Sequence, residues 1–251
     1  ALYSVDCQVE FFPLDGKKGY VLEENFLQAL TEEIDIIFLC NPNNPTGLLV
    51  EKPLLEKILK RCQELDILMA VDECFLDFVP TPEKYTLKEY LETYDNLFLL
   101  KAFTKRYAMA GVRLGYGLCG NKRLLEKIEG VCQPWNVSSM AQAAGLAALQ
   151  EREYVEKGRQ VTFQELAYLK EELAVLGYPV YPSQANYVFF TGPADLYEKL
   201  EQKKILIRDC SNYTGLSKGY YRVAVKKHEE NQQLIRALKE IDITKVENVI
   251  L

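Results

Sequence analysis

The sequence predicts an α/β protein in which a mostly parallel β-sheet is covered by helices and followed by a smaller C-terminal α/β domain. Three observations support this fold class. Short apolar runs alternate with segments of helical periodicity along residues 1–151. A hydrophobic content of 48% with 26% charged residues is typical of a folded globular protein. Near residue 152 the pattern changes, because a long helical segment there precedes a second set of short strands.

Four nearly continuous apolar runs are the predicted strands of the larger domain, at residues 35–40, 67–72, 96–102 and 112–119. Runs without polar alternation are typical of strands buried on both faces, as in a parallel sheet. Leucines and isoleucines recur at helical spacing in residues 53–65 and 122–131, which predicts helices between the strands. The larger domain is expected to span residues 1–151.

The C-terminal part begins with two segments of helical periodicity, at residues 138–150 and 152–176. Gly177 and Pro179 end the second of them. Short strands are predicted at 180–190, 205–208 and 220–225, with helices at 194–203 and 229–241. This alternation predicts a small α/β domain over residues 152–251, which includes the long connecting helix.

Composition and charge exclude several classes of partner. The net charge of −6 and an isoelectric point near 5.1 offer no basic face for nucleic acid or anionic lipid. No apolar run is long enough to span a membrane. Seven cysteines without CxxC spacing indicate reduced thiols in a cytoplasmic protein. Because His228 is the single histidine, we expect it to be a solvated surface residue and expect no metal site. A small-molecule ligand is therefore expected.

Two polar segments directly follow predicted strands, where open α/β sheets bind ligands. A run of asparagines and prolines that ends at Gly47 follows the first strand. This run also suits an ordinary turn. Asp72 and Glu73 follow the second strand, and an aspartate among apolar residues is costly to bury without a positive partner. The alternative for Asp72 is a helix cap.

A third segment follows the next strand and contains Lys105 and Arg113, eight residues apart in a loop rich in small residues. A lysine amine attacks an aldehyde when its site is poor in water and rich in positive charge, and Arg113 could help to supply that charge while it pairs with a phosphate. Taken alone, a lysine and an arginine in a loop more often face solvent.

Together, the asparagine and proline run, Asp72, and Lys105 with Arg113 resemble the aspartate aminotransferase superfamily in order and spacing. These fold-type-I enzymes depend on pyridoxal 5′-phosphate (PLP). The resemblance implies that Lys105 forms the Schiff base to PLP and shuttles the substrate α-proton. It implies that Asp72 pairs with the protonated pyridine nitrogen, that Asn44 binds the phenolic oxygen, and that Arg113 binds the cofactor phosphate.

The second half of the chain carries the same resemblance. Residues 134–142 and 182–187 are similar to histidinol-phosphate aminotransferases, and residues 207–213 are similar to threonine-phosphate decarboxylases of cobalamin biosynthesis. The resemblance implies that Arg222 binds the substrate α-carboxylate and that Arg208 binds the phosphate of the substrate itself. Spacing alone would instead favour strand-edge arginines that face solvent.

The chain also departs from the family pattern. It begins at Ala1 without a methionine, and we expect a fragment that lacks the glycine-rich phosphate-binding loop of its relatives. Ala102 stands where many relatives have a phosphate-binding serine, and Thr104 is expected to compensate in part. Phe75 replaces the tyrosine of aspartate aminotransferases, which leaves Asn44 as the main partner of the phenolic oxygen. We therefore expect weak cofactor retention and little activity from this chain by itself.

Three functions remain open at this point. The favoured one is a PLP-dependent decarboxylase of threonine phosphate, and the first alternative is a histidinol-phosphate or related class I/II aminotransferase. Both act on a phosphorylated amino acid and differ in which bond at Cα stands perpendicular to the cofactor ring. The second alternative is a non-catalytic, aminotransferase-like binding domain. The resemblance also implies a homodimer with its active site at the interface.

Overall fold

The computed structural model describes residues 2–247, with side chains up to residue 241. Its first sheet has four strands in the order β1-β2-β3-β4. Strands β1, β2 and β3 are parallel, and β4 pairs antiparallel with β3. The strands are β1 (Ile36–Cys40), β2 (Leu68–Asp72), β3 (Leu97–Ala102) and β4 (Gly115–Cys119). A mostly parallel sheet is therefore confirmed.

The register of the first sheet brings the ends of its strands together. Cys40, the last residue of β1, pairs with Asp72, the last residue of β2, and Asp72 in turn pairs with Leu100 of β3. The loops that follow β1 and β2 are consequently neighbours at the carboxyl edge. Strand β3 runs directly into a four-residue helix, α2 (Phe103–Arg106), which carries Lys105. All three predicted site segments thus begin at one edge of the sheet.

Helix α1 (Lys52–Glu64) covers this sheet, with Pro53 in its first turn, where a missing N–H costs little. Its apolar side chains are spaced three or four residues apart and are almost fully buried. They are Leu55, Ile58, Leu59 and Cys62. These side chains pack with apolar residues of β1, β2 and β3 to form the main core of the N-terminal part.

Two further helices follow β4 and begin at clear caps. Asn121 Oδ1 accepts the Leu124 N–H of α3 (Lys122–Val131) at 3.0 Å. Ser138 Oγ accepts the Ala141 N–H of α4 (Ser139–Ala148) at 3.1 Å. Such residues satisfy amide groups that the first helical turn leaves unpaired. Both helices confirm predictions that rest on helical periodicity.

The second sheet has three antiparallel strands in the order β5-β7-β6. They are β5 (Tyr187–Thr191), β6 (Arg208–Asp209) and β7 (Tyr220–Ala224). The helices of this part are α5 (Arg152–Val175), α6 (Leu196–Gln202) and α7 (His228–Glu247). Side chains from all three helices and the sheet form a second core. The division of the chain at residue 152 stays a prediction.

Three predicted strands are shorter than expected. Residues 110–112 form a 3-10 turn, so β4 begins at Gly115. The 180–190 segment contributes only one isolated bridge, from Val180, before β5 begins at Tyr187, since Pro182 has no amide hydrogen to donate to a ladder. Of the 205–208 run, only Arg208 belongs to a strand.

Within residues 2–247, no helix has both the length and the apolar content needed to cross a membrane.

Candidate active site

The loop after β1, residues 41–47, is here called the asparagine loop, and Asn41 anchors it. Asn41 is fully buried, and its backbone N–H donates to the Asp72 carbonyl at 2.9 Å. Its side chain donates to the Tyr85 carbonyl at 3.1 Å and accepts the Val50 N–H at 2.9 Å. Every polar group of this side chain is therefore used to hold the loop, which leaves Asn44 as the asparagine available to a ligand.

Gly47 closes the asparagine loop against the C-terminal part of the chain. Its φ is +73°, in the left-handed region, and a Cβ at this position would lie 1.8 Å from Ser183 Oγ. The Gly47 carbonyl accepts the Gln184 N–H at 2.8 Å. Glycine is required for both reasons, because only a residue without Cβ fits this conformation and this contact.

Asn44 is bound by two side chains from the C-terminal part. Its Oδ1 accepts a hydrogen bond from Tyr213 Oη at 3.1 Å and a short one from Arg222 Nη1. A carbonyl oxygen has two lone pairs, so these two donors fill its acceptor capacity. The amide –NH₂ group is then the end of the side chain that can donate to a ligand.

Asp72 and Lys105 lie on either side of Cys74. Asp72 Oδ1 accepts the Cys74 N–H at 2.9 Å. Burial, the hydrogen bond with Asp72 and the negative charge of Asp72 together raise the pKa of the Cys74 thiol to about 12, while the positive charge of Lys105 acts in the opposite direction. Lys105 Nζ also lies over the ring of Phe75, the residue next to Cys74, so Asp72 and Lys105 both lie near this short segment.

Aromatic side chains connect Lys105 with Arg222. Lys105 Nζ lies 5.1 Å from the centroid of the Phe75 ring. The Phe75 ring meets the Tyr187 ring edge-to-face at 5.1 Å, and Arg222 Cζ lies 5.0 Å from the Tyr187 centroid. Cation–π contacts of this kind hold a guanidinium or an amine without neutralising its charge. The two parts of the chain therefore form one continuous wall.

Tyr187 has a role that the sequence did not predict. Its ring is 3% exposed, and its hydroxyl donates to the Asn43 carbonyl at 2.7 Å. Burial raises its pKa, the negative charge of Asp72 acts in the same direction, and Arg222 acts against it. A tyrosine at the start of a buried strand was the available signal, but its partner is 144 residues away in the chain.

Glu73, the acid next to Asp72, pairs with a lysine of the sheet. The residue is fully buried, and Nζ of Lys101 in β3 lies 2.6 Å from its Oε2. Thr86 Oγ1 donates to the same carboxylate at 2.9 Å. Of the two adjacent acids, Asp72 therefore serves the site, and Glu73 links β3 to the loop that contains Thr86.

Three predicted binding residues are not joined to Asn44, Asp72 or Lys105 by a side-chain hydrogen bond in the described part of the chain, although Arg208 stands opposite Arg222 in the strand ladder. Arg113 is exposed, has a φ of 58°, and donates from Nη1 to the Ala110 carbonyl at 3.2 Å. Arg208 is exposed and donates to Asn212 Oδ1 at 3.2 Å. Thr104 is half-buried in α2. The binding roles assigned to these three residues stay predictions.

The residues present fit PLP in their chemistry. A carboxylate, an amine and an amide whose –NH₂ is left to donate are the groups needed for a protonated pyridine, an aldehyde and a phenolic oxygen. Here Asp72, Lys105 and Asn44 supply them, beside the flat Phe75 and Tyr187 rings. Among residues 2–247, no cluster of three histidine, cysteine or acidic side chains could hold a metal ion.

Comparison with known proteins agrees with this chemistry. The family model of aminotransferase class I and II matches residues 5–238. The chain belongs to this family of PLP-dependent enzymes. The resemblance, the fold class and the cofactor predicted from the sequence are thereby confirmed.

Individual relatives carry two different names. The chain is 36% identical to the threonine-phosphate decarboxylase of Salmonella typhimurium, over 96% of this chain and 67% of that protein. It is 31% identical to the histidinol-phosphate aminotransferase of Methanococcus aeolicus, over 93% of this chain and 63% of that protein. The solved histidinol-phosphate aminotransferase of Clostridium acetobutylicum superimposes with a TM-score of 0.86 at 30% identity, over 90% of this chain and 70% of that one. The chain therefore spans about two thirds of the length of the relatives it matches.

Proposed function

We propose that this chain is the greater part of a PLP-dependent enzyme that acts on a phosphorylated amino acid, with decarboxylation of threonine phosphate as the favoured reaction. The observation that carries the proposal is the pairing of two arginines beside the site. Arg208 and Arg222 stand directly opposite each other in the β6–β7 ladder. Opposite residues of an antiparallel pair project from the same face, about 5 Å apart at Cβ. A substrate with a carboxylate and a phosphate would meet both guanidinium groups.

Each side chain has a task that follows from its position. When bound, PLP supplies an electron sink for the bond that breaks at the substrate Cα. Lys105 holds the cofactor through Nζ and then moves the proton at the substrate Cα. Asp72 keeps the proton on the pyridine nitrogen, and its alignment is fixed by the Cys74 N–H. Asn44 donates from Nδ2 to the phenolic oxygen.

Substrate binding falls to the two arginines. Arg222 is half-buried against Tyr187, and this position suits a bidentate grip on the α-carboxylate. Arg208 is exposed, which suits a strongly hydrated phosphate. Arg113 and Thr104 are proposed to bind the cofactor phosphate, because both follow β3 in the same loop region as Lys105.

Variants of the two arginines test the substrate assignment in the full-length protein. We expect Arg208→Gln to weaken the use of threonine phosphate by about 10- to 100-fold, the range of a lost charged hydrogen bond, and to leave threonine itself unaffected. We expect Arg222→Gln to weaken the use of both threonine phosphate and threonine. Equal effects of Arg208→Gln on the two compounds would contradict the phosphate assignment.

The choice of reaction needs a direct assay. The 207–213 segment and Phe75 favour decarboxylation, while the superposition on a histidinol-phosphate aminotransferase supports transamination as the alternative. Release of carbon dioxide from threonine phosphate would support the first. Transfer of the amino group of histidinol phosphate to a keto acid would support the second. A non-catalytic binding domain would show a borohydride-stable PLP adduct at Lys105 and no turnover.

We also propose a homodimer located in the cytoplasm. Several large apolar side chains of the 131–146 region are exposed, and exposed apolar side chains of this size suit a protein contact. The most exposed are Trp135, Val131, Met140 and Leu146. The seven cysteines are free, as expected in a reducing compartment. Light scattering of the purified full-length protein would test the dimer.

A further inference from the structure

Two side chains, Tyr213 and Arg222, donate hydrogen bonds to the same oxygen of Asn44. Arg222 Nη1 donates to Asn44 Oδ1, yet the proposed function requires the same guanidinium to bind the substrate carboxylate. A guanidinium that turns toward a substrate can no longer hold the amide with the same geometry. Tyr213 donates to the same oxygen at 3.1 Å and carries no charge that a substrate would attract.

The surroundings of Tyr213 keep its hydroxyl in place. Its backbone N–H donates to the Cys210 carbonyl at 3.0 Å, and its own carbonyl accepts the Leu216 N–H at 3.0 Å. Its ring packs against a cluster that includes Tyr20 and Phe189. Tyr213 is thus held by two backbone hydrogen bonds and by packing against this cluster.

We propose that Tyr213 is a positioning residue that acts through Asn44. It keeps the amide oxygen occupied while Arg222 engages the substrate, so that the amide –NH₂ continues to face the phenolic oxygen of the cofactor. An amide without this restraint could rotate and present its oxygen to another oxygen, which is repulsive. The inference rests on the proposed function for the tasks of Arg222 and of the Asn44 –NH₂ group.

The first test needs no cofactor. In ¹⁵N-labelled, deuterated protein, the side-chain –NH₂ signal of Asn44 is identified by its loss in Asn44→Asp. We expect Tyr213→Phe to shift this signal, because a direct hydrogen bond to the amide is removed. Tyr220→Phe is the matched control, since Tyr220 packs on the same cluster but its phenol interacts with Tyr20. An Asn44 signal that is unchanged in Tyr213→Phe, or shifted equally in Tyr220→Phe, would overturn the proposal.

The second test measures PLP binding by absorbance titration in Tyr213→Phe, Asn44→Ala and the double variant. We expect Tyr213→Phe to weaken binding by about 2- to 12-fold, the range of one hydrogen bond. In the Asn44→Ala background, the same change should have no further effect. If the fold-changes in PLP affinity of the two single variants multiply in the double variant, Tyr213 acts independently of Asn44, and the proposal is contradicted. If PLP does not bind at all, the proposed function fails, and the first test still decides the Tyr213–Asn44 link.

Discussion

Replacement of Gly47 by alanine is the sharpest test of how the asparagine loop meets the C-terminal part. The new methyl group would have to fit where Ser183 Oγ is 1.8 Å away and Ser183 Cβ is 2.6 Å away. Two costs are combined. The left-handed conformation at φ +73° costs an alanine about 1 kcal/mol, and overpacking costs about 1–3 kcal/mol. We expect the free energy of unfolding to fall by about 2–4 kcal/mol.

Gly19 provides a matched control for the conformational part of this cost. Its φ is +71°, almost the same as at Gly47, but a Cβ there would meet nothing within 4 Å. We expect Gly19→Ala to lose only about 1 kcal/mol in urea unfolding followed by circular dichroism. The difference between the two variants isolates the contact with Ser183. The reasoning is refuted if Gly47→Ala is no less stable than Gly19→Ala.

Four further predictions concern the site and its support. Borohydride reduction with PLP should label Lys105, and Lys105→Ala should abolish that label in peptide mass mapping. Glu73→Gln should lower the free energy of unfolding by about 3–5 kcal/mol, because Lys101 would keep a poorly exposed charge without its partner; urea unfolding measures this. Because the pKa of Cys74 is raised to about 12, its alkylation should stay slow at pH 9 and accelerate only as the pH approaches 12. Absorbance titration of this chain with PLP should show weak binding, and tight stoichiometric binding would contradict that expectation.

Strands with an uninterrupted apolar sequence could be predicted closely. The first three strands of the first sheet begin one residue after their predicted starts and end where predicted. The errors came where local chemistry overrode the apolar pattern. Residues 110–112 are small and turn-forming, and Arg113 adopts a left-handed conformation, so the strand could not begin before Gly115. Pro182 cannot donate to a ladder, and the polar residues 183–186 follow it before the apolar run of β5 begins.

The residue types in the sequence indicated which groups could bind a cofactor, but not which residues hold those groups in place. Asn44, Asp72 and Lys105 stand at or after the ends of predicted strands, and the resemblance to the aminotransferases supplied the tasks predicted for them. The tasks of Tyr187 and Tyr213 depend on hydrogen bonds to residues 144 and 169 positions away, and no local pattern encodes such a distance. Asp72 and Glu73 are adjacent acids in the sequence, and only the structure shows that Asp72 accepts the Cys74 N–H while Glu73 pairs with Lys101 and Thr86.

Besides the bond from Arg222, the asparagine loop receives hydrogen bonds from three uncharged groups of the C-terminal part. They come from the Gln184 amide, the Tyr187 hydroxyl and the Tyr213 hydroxyl. If each contributes about 0.5–1.5 kcal/mol, swinging one half of the molecule away from the other would cost about 1.5–4.5 kcal/mol at this loop alone. These three bonds therefore favour the arrangement in which the asparagine loop and the C-terminal part are in contact. Any motion that separates the two has to break all three.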